Sequence, residues 1–164
     1  MASGMNVQLL EHYLRQWIDG PGDGNLLHAR TLAGAGALDA LIVPLSGVAP
    51  VSVLSDSEIN PACVYELDLP NVEDRAVVYV STILPIACVE MWRAQTFMGF
   101  CMGDVERSPV ADACRILRQA GLVLLDESTC RAPSPFVRDG GPEFMTYYEM
   151  LFEFDVDPPW LSSR

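Results

Sequence analysis

The sequence predicts an α+β fold, a mostly antiparallel β-sheet packed by an N-terminal helix and a helix near residues 109–120. Short β-type runs follow one another between Leu41 and Met102, and two helical patterns flank them. The connections between the runs are too short for helical crossovers, which favours antiparallel pairing. At 164 residues, the chain fits one compact domain, residues 1–164.

The opening helix is predicted by apolar residues that recur at helical spacing. These residues are Val7, Leu10, Leu14, Trp17 and Ile18. The pattern runs into the turn-forming sequence DGPGDG, where the helix should end. The next stretch, residues 25–41, is rich in Ala, Gly and Leu and is compatible with helix or irregular structure.

The middle of the chain predicts short strands separated by Pro and Gly. The runs are LIV, VSVL, CVYELDL, AVVYVSTIL, IACVEMW and TFMGFCM. In CVYELDL the apolar residues Tyr65, Leu67 and Leu69 alternate with Glu66 and Asp68. Alternation with a period of two predicts a half-buried strand whose outer face is acidic.

A second helix is predicted by signals at both of its ends. Ser108 is a good N-cap, Pro109 suits the first helical position, and Gly121 lies just past the last helical residue. Residues 122–125 then read as a strand. Residues 131–143 are rich in Pro and Gly and predict a long loop, which is a candidate functional loop.

The C-terminal region predicts one further strand with two different faces. The apolar face would carry Phe144, Tyr148, Met150, Phe152 and Phe154. The opposite face would be acidic and carry Glu149, Glu153, Asp155 and Asp157.

The charge composition excludes several classes of function. The ten basic residues are all arginine, so Schiff-base chemistry, pyridoxal-phosphate chemistry and P-loop nucleotide binding lack their essential lysine. A net charge of −12 disfavours nucleic acids and anionic membranes as partners, and favours a basic protein. The chain shows neither a secretion signal nor an apolar run of about 20 residues, so we expect a cytoplasmic protein. Arginine without lysine, together with abundant Ala, Gly, Pro and Leu, suggests a GC-rich bacterial genome as the source.

Cysteine and histidine do not form a recognisable site in the sequence. The five cysteines are widely spaced, odd in number and without a C-x-x-C pair, which is typical of reduced thiols in a cytosol. We therefore predict no metal and no cofactor. His12 and His28 could share a site, but their spacing does not decide this.

The pentapeptide GFCMG, residues 99–103, resembles the G-x-C-x-G nucleophile elbow of the dienelactone hydrolase family. That resemblance implies Cys101 as the nucleophile, followed in the chain by an acid and a histidine. Both histidines precede Cys101 here, and the best helix begins only at Ser108 and Pro109. We therefore interpret Cys101 as the end of a buried strand and predict no catalytic residue.

The remaining hypothesis is a non-enzymatic, acidic protein-binding module. It would be an inhibitor or immunity-type protein that neutralises a basic partner such as a toxin or nuclease. The expected contact residues are Glu66, Asp68, Glu149, Glu153, Asp155 and Asp157, with Phe136 and Trp160 as aromatic anchors.

The alternative is a small enzyme or small-molecule-binding domain with a pocket between helix and sheet. Loop 131–143 would gate this pocket. Its aromatic lining would be Tyr79, Trp92, Tyr147 and Tyr148.

Overall fold

A computed structural model describes residues 7–18, 39–54, 62–82, 84–103, 107–137, 143–153 and 158–161. The helices are α1 (Val7–Ile18), α2 (Ile42–Ser46), α3 (Pro109–Gln119), α4 (Glu127–Arg131) and α5 (Tyr147–Leu151), with a 3₁₀ turn at Asp39–Leu41. The strands are β1 (Val51–Val53), β2 (Ala62–Asp68), β3 (Asp74–Ser81), β4 (Ile86–Arg93), β5 (Thr96–Phe100), β6 (Val123–Leu124), β7 (Pro133–Val137) and β8 (Phe144–Thr146).

The predicted α+β class is confirmed, because the core of the fold is a mostly antiparallel sheet with helices packed on it. Strands β1 to β5 pair in chain order and are all antiparallel. Strand β6 pairs in parallel with the start of β4, and β7 and β8 form a separate two-stranded ribbon.

Both faces of the sheet are covered. On one face, Leu45 of α2 and Leu117 of α3 join a cluster with alternate residues of β2 to β4, such as Val78. On the other face, Leu14 of α1 and Tyr148 of α5 join a cluster with the intervening strand residues. Burial on both faces explains why β3 and β4 are almost continuously apolar while the outer strands are mixed.

The helix that covers the first face begins and ends where its cap residues predict. The Ser108 side chain accepts a hydrogen bond from the Ala111 backbone N–H at 3.1 Å, and Pro109 opens the helix. Gly121 follows its end in the left-handed region, with φ of 84°.

We expect Ser108→Ala to lower the free energy of unfolding by about 1 kcal/mol, because it removes this N-cap. Ser52→Ala, at an exposed position of β1, is the control and should change stability by less than about 0.5 kcal/mol. Urea denaturation of the two variants checks this. Equal effects would show that the cap contributes nothing specific.

Three parts of the sequence-based assignment are wrong or incomplete. The run LIV does not form a strand but belongs to the 3₁₀ turn and α2, because Leu41, Leu45 and Ala49 recur at helical spacing and are all buried. The predicted loop 131–143 contains the end of α4 and all of β7, whose prolines are tolerated in a two-stranded ribbon.

The largest correction concerns the predicted last strand. In the described part of this segment, Phe144–Thr146 is a strand and Tyr147–Leu151 is helix α5. Thr146 and Glu149 form a reciprocal capping box that starts the helix, a T-x-x-E signal that the alternation of apolar residues hides. In the described part of the chain, no helix is long and apolar enough to cross a membrane.

Candidate functional site

Two turns bring charged residues together at one end of the sheet. Strands β2 and β4 end there, and β3 and β5 begin there, since Asp68 pairs with Arg75 and Asp74 pairs with Arg93 in the strand register. In the turn from β2 to β3, the Val72 side chain at the tip is 98% exposed. We name the acidic sheet end as Asp68, Asn71, Val72, Glu73 and Asp74.

The arginines near this surface are already neutralised within the chain. Arg93 Nε lies 2.9 Å from Asp74 Oδ1, and Arg75 Nε lies 3.4 Å from Glu66 Oε2. The hydrogen bond from Arg93 is the main reason why the pKa of Asp74 is lowered. Among the described residues, neither Asp68 nor Glu73 has an ion-pair partner within 4.0 Å, and both are exposed. The acidic sheet end therefore keeps uncompensated negative charge around an apolar tip.

The other predicted acidic contact residues are placed differently. The Glu149 carboxylate accepts hydrogen bonds from the Thr146 backbone N–H at 2.7 Å and hydroxyl at 2.8 Å, so it caps α5. Glu153 Oε1 accepts a hydrogen bond from the Tyr79 hydroxyl at 3.2 Å. The prediction that these two residues belong to an acidic strand face is wrong, because α5 replaces that strand. Asp155 and Asp157 lie outside the described residues.

The two predicted aromatic anchors pack within the chain. Phe136 is half-buried against the second core cluster, with the Arg15 guanidinium carbon 5.7 Å from its ring centre. Trp160 packs against Tyr148, with ring centres 5.3 Å apart, and the Arg131 guanidinium carbon lies 5.0 Å from the centre of the Trp160 ring. Intramolecular packing therefore already occupies part of the surface that each ring would offer a partner.

The structure also contains a buried carboxyl group that the sequence analysis missed. Glu90 of β4 is fully buried and accepts hydrogen bonds from the Tyr148 hydroxyl at 2.5 Å and from the Trp92 indole N–H at 2.8 Å. Removal from water raises the pKa of Glu90 from 4.5 to about 7, an effect that these two hydrogen bonds oppose. The only sequence signal is one acidic residue inside the apolar run IACVEMW.

Three of the four residues proposed to line a pocket meet around Glu90. The rings of Tyr79 and Tyr148 contact each other at 5.8 Å between centres, and the Trp92 indole binds the carboxyl group. The fourth residue, Tyr147, lies towards Glu11 and Arg15 of α1. Burial raises the pKa of Tyr147, the charge of Glu11 adds to this rise, and the charge of Arg15 opposes it. Tyr79 and Tyr148 are almost completely buried, so these side chains form packed core around Glu90.

The geometry around Cys101 differs from a nucleophile elbow. Cys101 follows β5 directly, and its backbone N–H donates to the Val89 carbonyl at 2.8 Å, whereas the next described helix begins at Pro109. His12 is exposed on α1, whose buried residues pack on the opposite face of the sheet from Cys101. His28 lies outside the described residues, so the question of a shared histidine site stays open.

The fold and these surfaces define an α+β domain with an acidic sheet end. Comparison of the chain with protein-family models, curated proteins and solved structures finds no match.

Proposed function

We propose that this protein is a cytoplasmic bacterial inhibitor of the immunity type, which binds and neutralises a basic protein through its acidic sheet end. The observation that carries the proposal is the exposed Val72 tip between Asp68 and Glu73, neither of which has an ion-pair partner among the described residues. An apolar contact surrounded by charges of one sign fits a partner with an apolar recess and a basic rim.

Charge supports the same proposal at the level of the whole chain. The net charge is −12, and five of the seven arginines that the structure describes form ion pairs with carboxylates of their own chain. A field of this sign accelerates encounter with a basic protein and repels nucleic acid. We propose a toxin or nuclease as the basic partner, because such domains are commonly basic and require an inhibitor.

The test begins with capture of partners from a native bacterial lysate by the immobilised full-length protein at low and high salt. A captured protein is then purified and its dissociation constant is measured by calorimetry. The proposal requires a basic partner whose activity is inhibited. A partner set without basic proteins, or a basic partner that stays fully active when bound, would overturn it.

We expect the double variant Asp68→Asn/Glu73→Gln to bind that partner roughly tenfold more weakly at low salt, with a smaller difference at high salt. The matched control is Glu11→Gln/Asp112→Asn, which changes the net charge equally but lies on α1 and α3. If both double variants weaken binding to the same extent, the total charge matters and the acidic sheet end is not the contact.

A further inference from the structure

The GFCMG segment places a second cysteine beside Cys101. Cys114, buried on α3, donates a hydrogen bond from its thiol to the Cys101 carbonyl oxygen at 3.6 Å. The Cys101 sulfur accepts one from the Gly103 backbone N–H at 3.4 Å. A Cβ atom added to Gly103 would lie 3.5 Å from the Cys114 sulfur. Both thiols therefore lie next to Gly103.

The two thiols differ in access. Cys101 is partly exposed at the end of β5, whereas Cys114 is fully buried. A small reagent can therefore reach Cys101 first, and Cys114 is placed to react with whatever forms on Cys101. Redox-active cysteine pairs have this arrangement of an accessible attacking thiol and a neighbouring resolving thiol.

A groove of about 530 Å³ opens onto the same glycine. It is lined by Gly103, Ala111, Asp112 and Gln119 and by three arginines, Arg107, Arg115 and Arg118. Arg115 pairs with Asp112 at 2.8 Å, and Arg118 donates to the Met102 carbonyl. A groove with three guanidinium groups and one carboxylate favours a small anionic reagent.

We propose that Cys101 and Cys114 form a thiol–disulfide pair that is oxidised by a small anionic disulfide of the glutathione class. The Cys101 thiolate attacks one sulfur of that disulfide, which gives a mixed disulfide and releases one glutathione thiolate. The Cys114 thiolate then attacks the Cys101 sulfur, which forms the intrachain S–S bond and releases the second glutathione thiolate. The two cysteines lose two electrons and two protons, and the disulfide is reduced to two thiols.

The absence of lysine makes this reaction easy to follow. Trypsin cleaves the chain only after arginine, so Cys101 falls in peptide 94–107 and Cys114 in peptide 108–115. The native full-length protein is incubated with oxidised glutathione, free thiols are alkylated, and the denatured protein is digested without reduction. We expect these two peptides to be joined by a disulfide, with a mass two hydrogens below their sum.

Cysteine variants separate the two steps. Cys114→Ser should stop at a stable glutathione adduct on Cys101, and Cys101→Ser should leave Cys114 unmodified. Cys63→Ser is the control and should react like the wild type. Circular dichroism before oxidation confirms that each variant is folded. Failure of peptides 94–107 and 108–115 to join in the folded wild type, or joining of either one to a peptide with another cysteine, would overturn the proposal.

The choice of an anionic oxidant has its own test. Asp104 and Glu106 precede Arg107 in the sequence and lie outside the described residues. Comparison of an anionic with a neutral disulfide therefore measures the sign of the electrostatic field at the groove. We expect Arg107→Gln to slow oxidation by oxidised glutathione roughly threefold to tenfold and to leave oxidation by the neutral 2-hydroxyethyl disulfide unchanged. This variant lacks the tryptic site between the two cysteines, so its oxidation is followed as the loss of two hydrogens from peptide 94–115. Equal effects with both reagents would contradict the anion preference.

Discussion

The wild-type protein should lose about 3 kcal/mol of folding stability between about pH 4.5 and pH 7 through Glu90 alone, and Glu90→Gln should remove that loss. The pKa of Glu90 is about 7 in the folded protein and 4.5 without burial. The folded state therefore holds the proton more tightly than the unfolded state. Its contribution is complete below the unfolded pKa and is lost as the pH rises through the folded pKa.

The environment of Glu90 explains the sign of this effect. Desolvation is the largest cause of the raised pKa, and the charge of Glu153 adds to it. The Tyr148 and Trp92 hydrogen bonds and the charge of Arg75 oppose the shift. In Glu90→Gln the amide oxygen can accept from Trp92 while the amide nitrogen donates to the Tyr148 hydroxyl, so the variant should pack like the protonated acid.

Urea denaturation at about pH 5 and about pH 8 measures this difference. Glu90→Gln should resemble the wild type at the lower pH and be more stable at the higher pH. Asp74 and Asp126, whose pKa values are lowered, act in the opposite direction but are present in both proteins. A stability difference between the two proteins that does not change with pH would show that Glu90 does not titrate in this range.

We expect Gly103→Ala to lower the free energy of unfolding by about 3 kcal/mol, and Gly121→Ala to lower it by only about 1 kcal/mol. Both glycines lie in the left-handed region, with φ of 79° and 84°. A Cβ at Gly103 would lie 2.7 Å from the Cys114 Cβ, which belongs to the packed α3. A Cβ at Gly121 would meet nothing within 4 Å.

The pair of variants separates backbone strain from steric overlap. Gly121→Ala reports the cost of the left-handed conformation, and the excess in Gly103→Ala reports the overlap with α3. Thermal and urea denaturation of the two variants give the comparison. Equal losses of stability would mean that α3 moves away from residue 103 without a measurable penalty.

The central strands and the long helices could be predicted because their signals are local. The alternation in β2, the apolar runs of β3 and β4, and the caps at Ser108 and Gly121 lie within the elements that they define. That both faces of the sheet are buried could be recognised only from the structure. In β2, Glu66 is only half exposed and pairs with Arg75 on the neighbouring strand, so the outer face is not simply solvated.

The C-terminal assignment failed because two patterns overlap. Residues 144–154 alternate like a strand, but the capping box of Thr146 and Glu149 starts a helix, and Tyr147, Tyr148 and Leu151 are buried at helical spacing. The acidic face was inferred from that strand. Because the segment forms a helix instead, Glu149 and Glu153 do not share the predicted contact surface. Of the predicted contact residues that the structure describes, Asp68 belongs to the acidic sheet end and Glu66 lies beside it on β2.

The remaining site features depend on contacts between distant parts of the chain. Glu90 meets Tyr148 across 58 positions of sequence, and Cys101 meets Cys114 across 13. No spacing rule connects such residues, because the sheet register and the docking of helices bring them together. Val72 could not be recognised as an exposed tip until the β2–β3 register was known.

The most direct test of the proposed function is a hydrogen-exchange footprint of the full-length protein with its purified basic partner. Binding through the acidic sheet end predicts slower exchange in the complex at residues 68–74 and in the neighbouring turn 94–96. Slower exchange confined to α3 or α1, with residues 68–74 exchanging at the same rate in the free and bound protein, would contradict binding through the acidic sheet end.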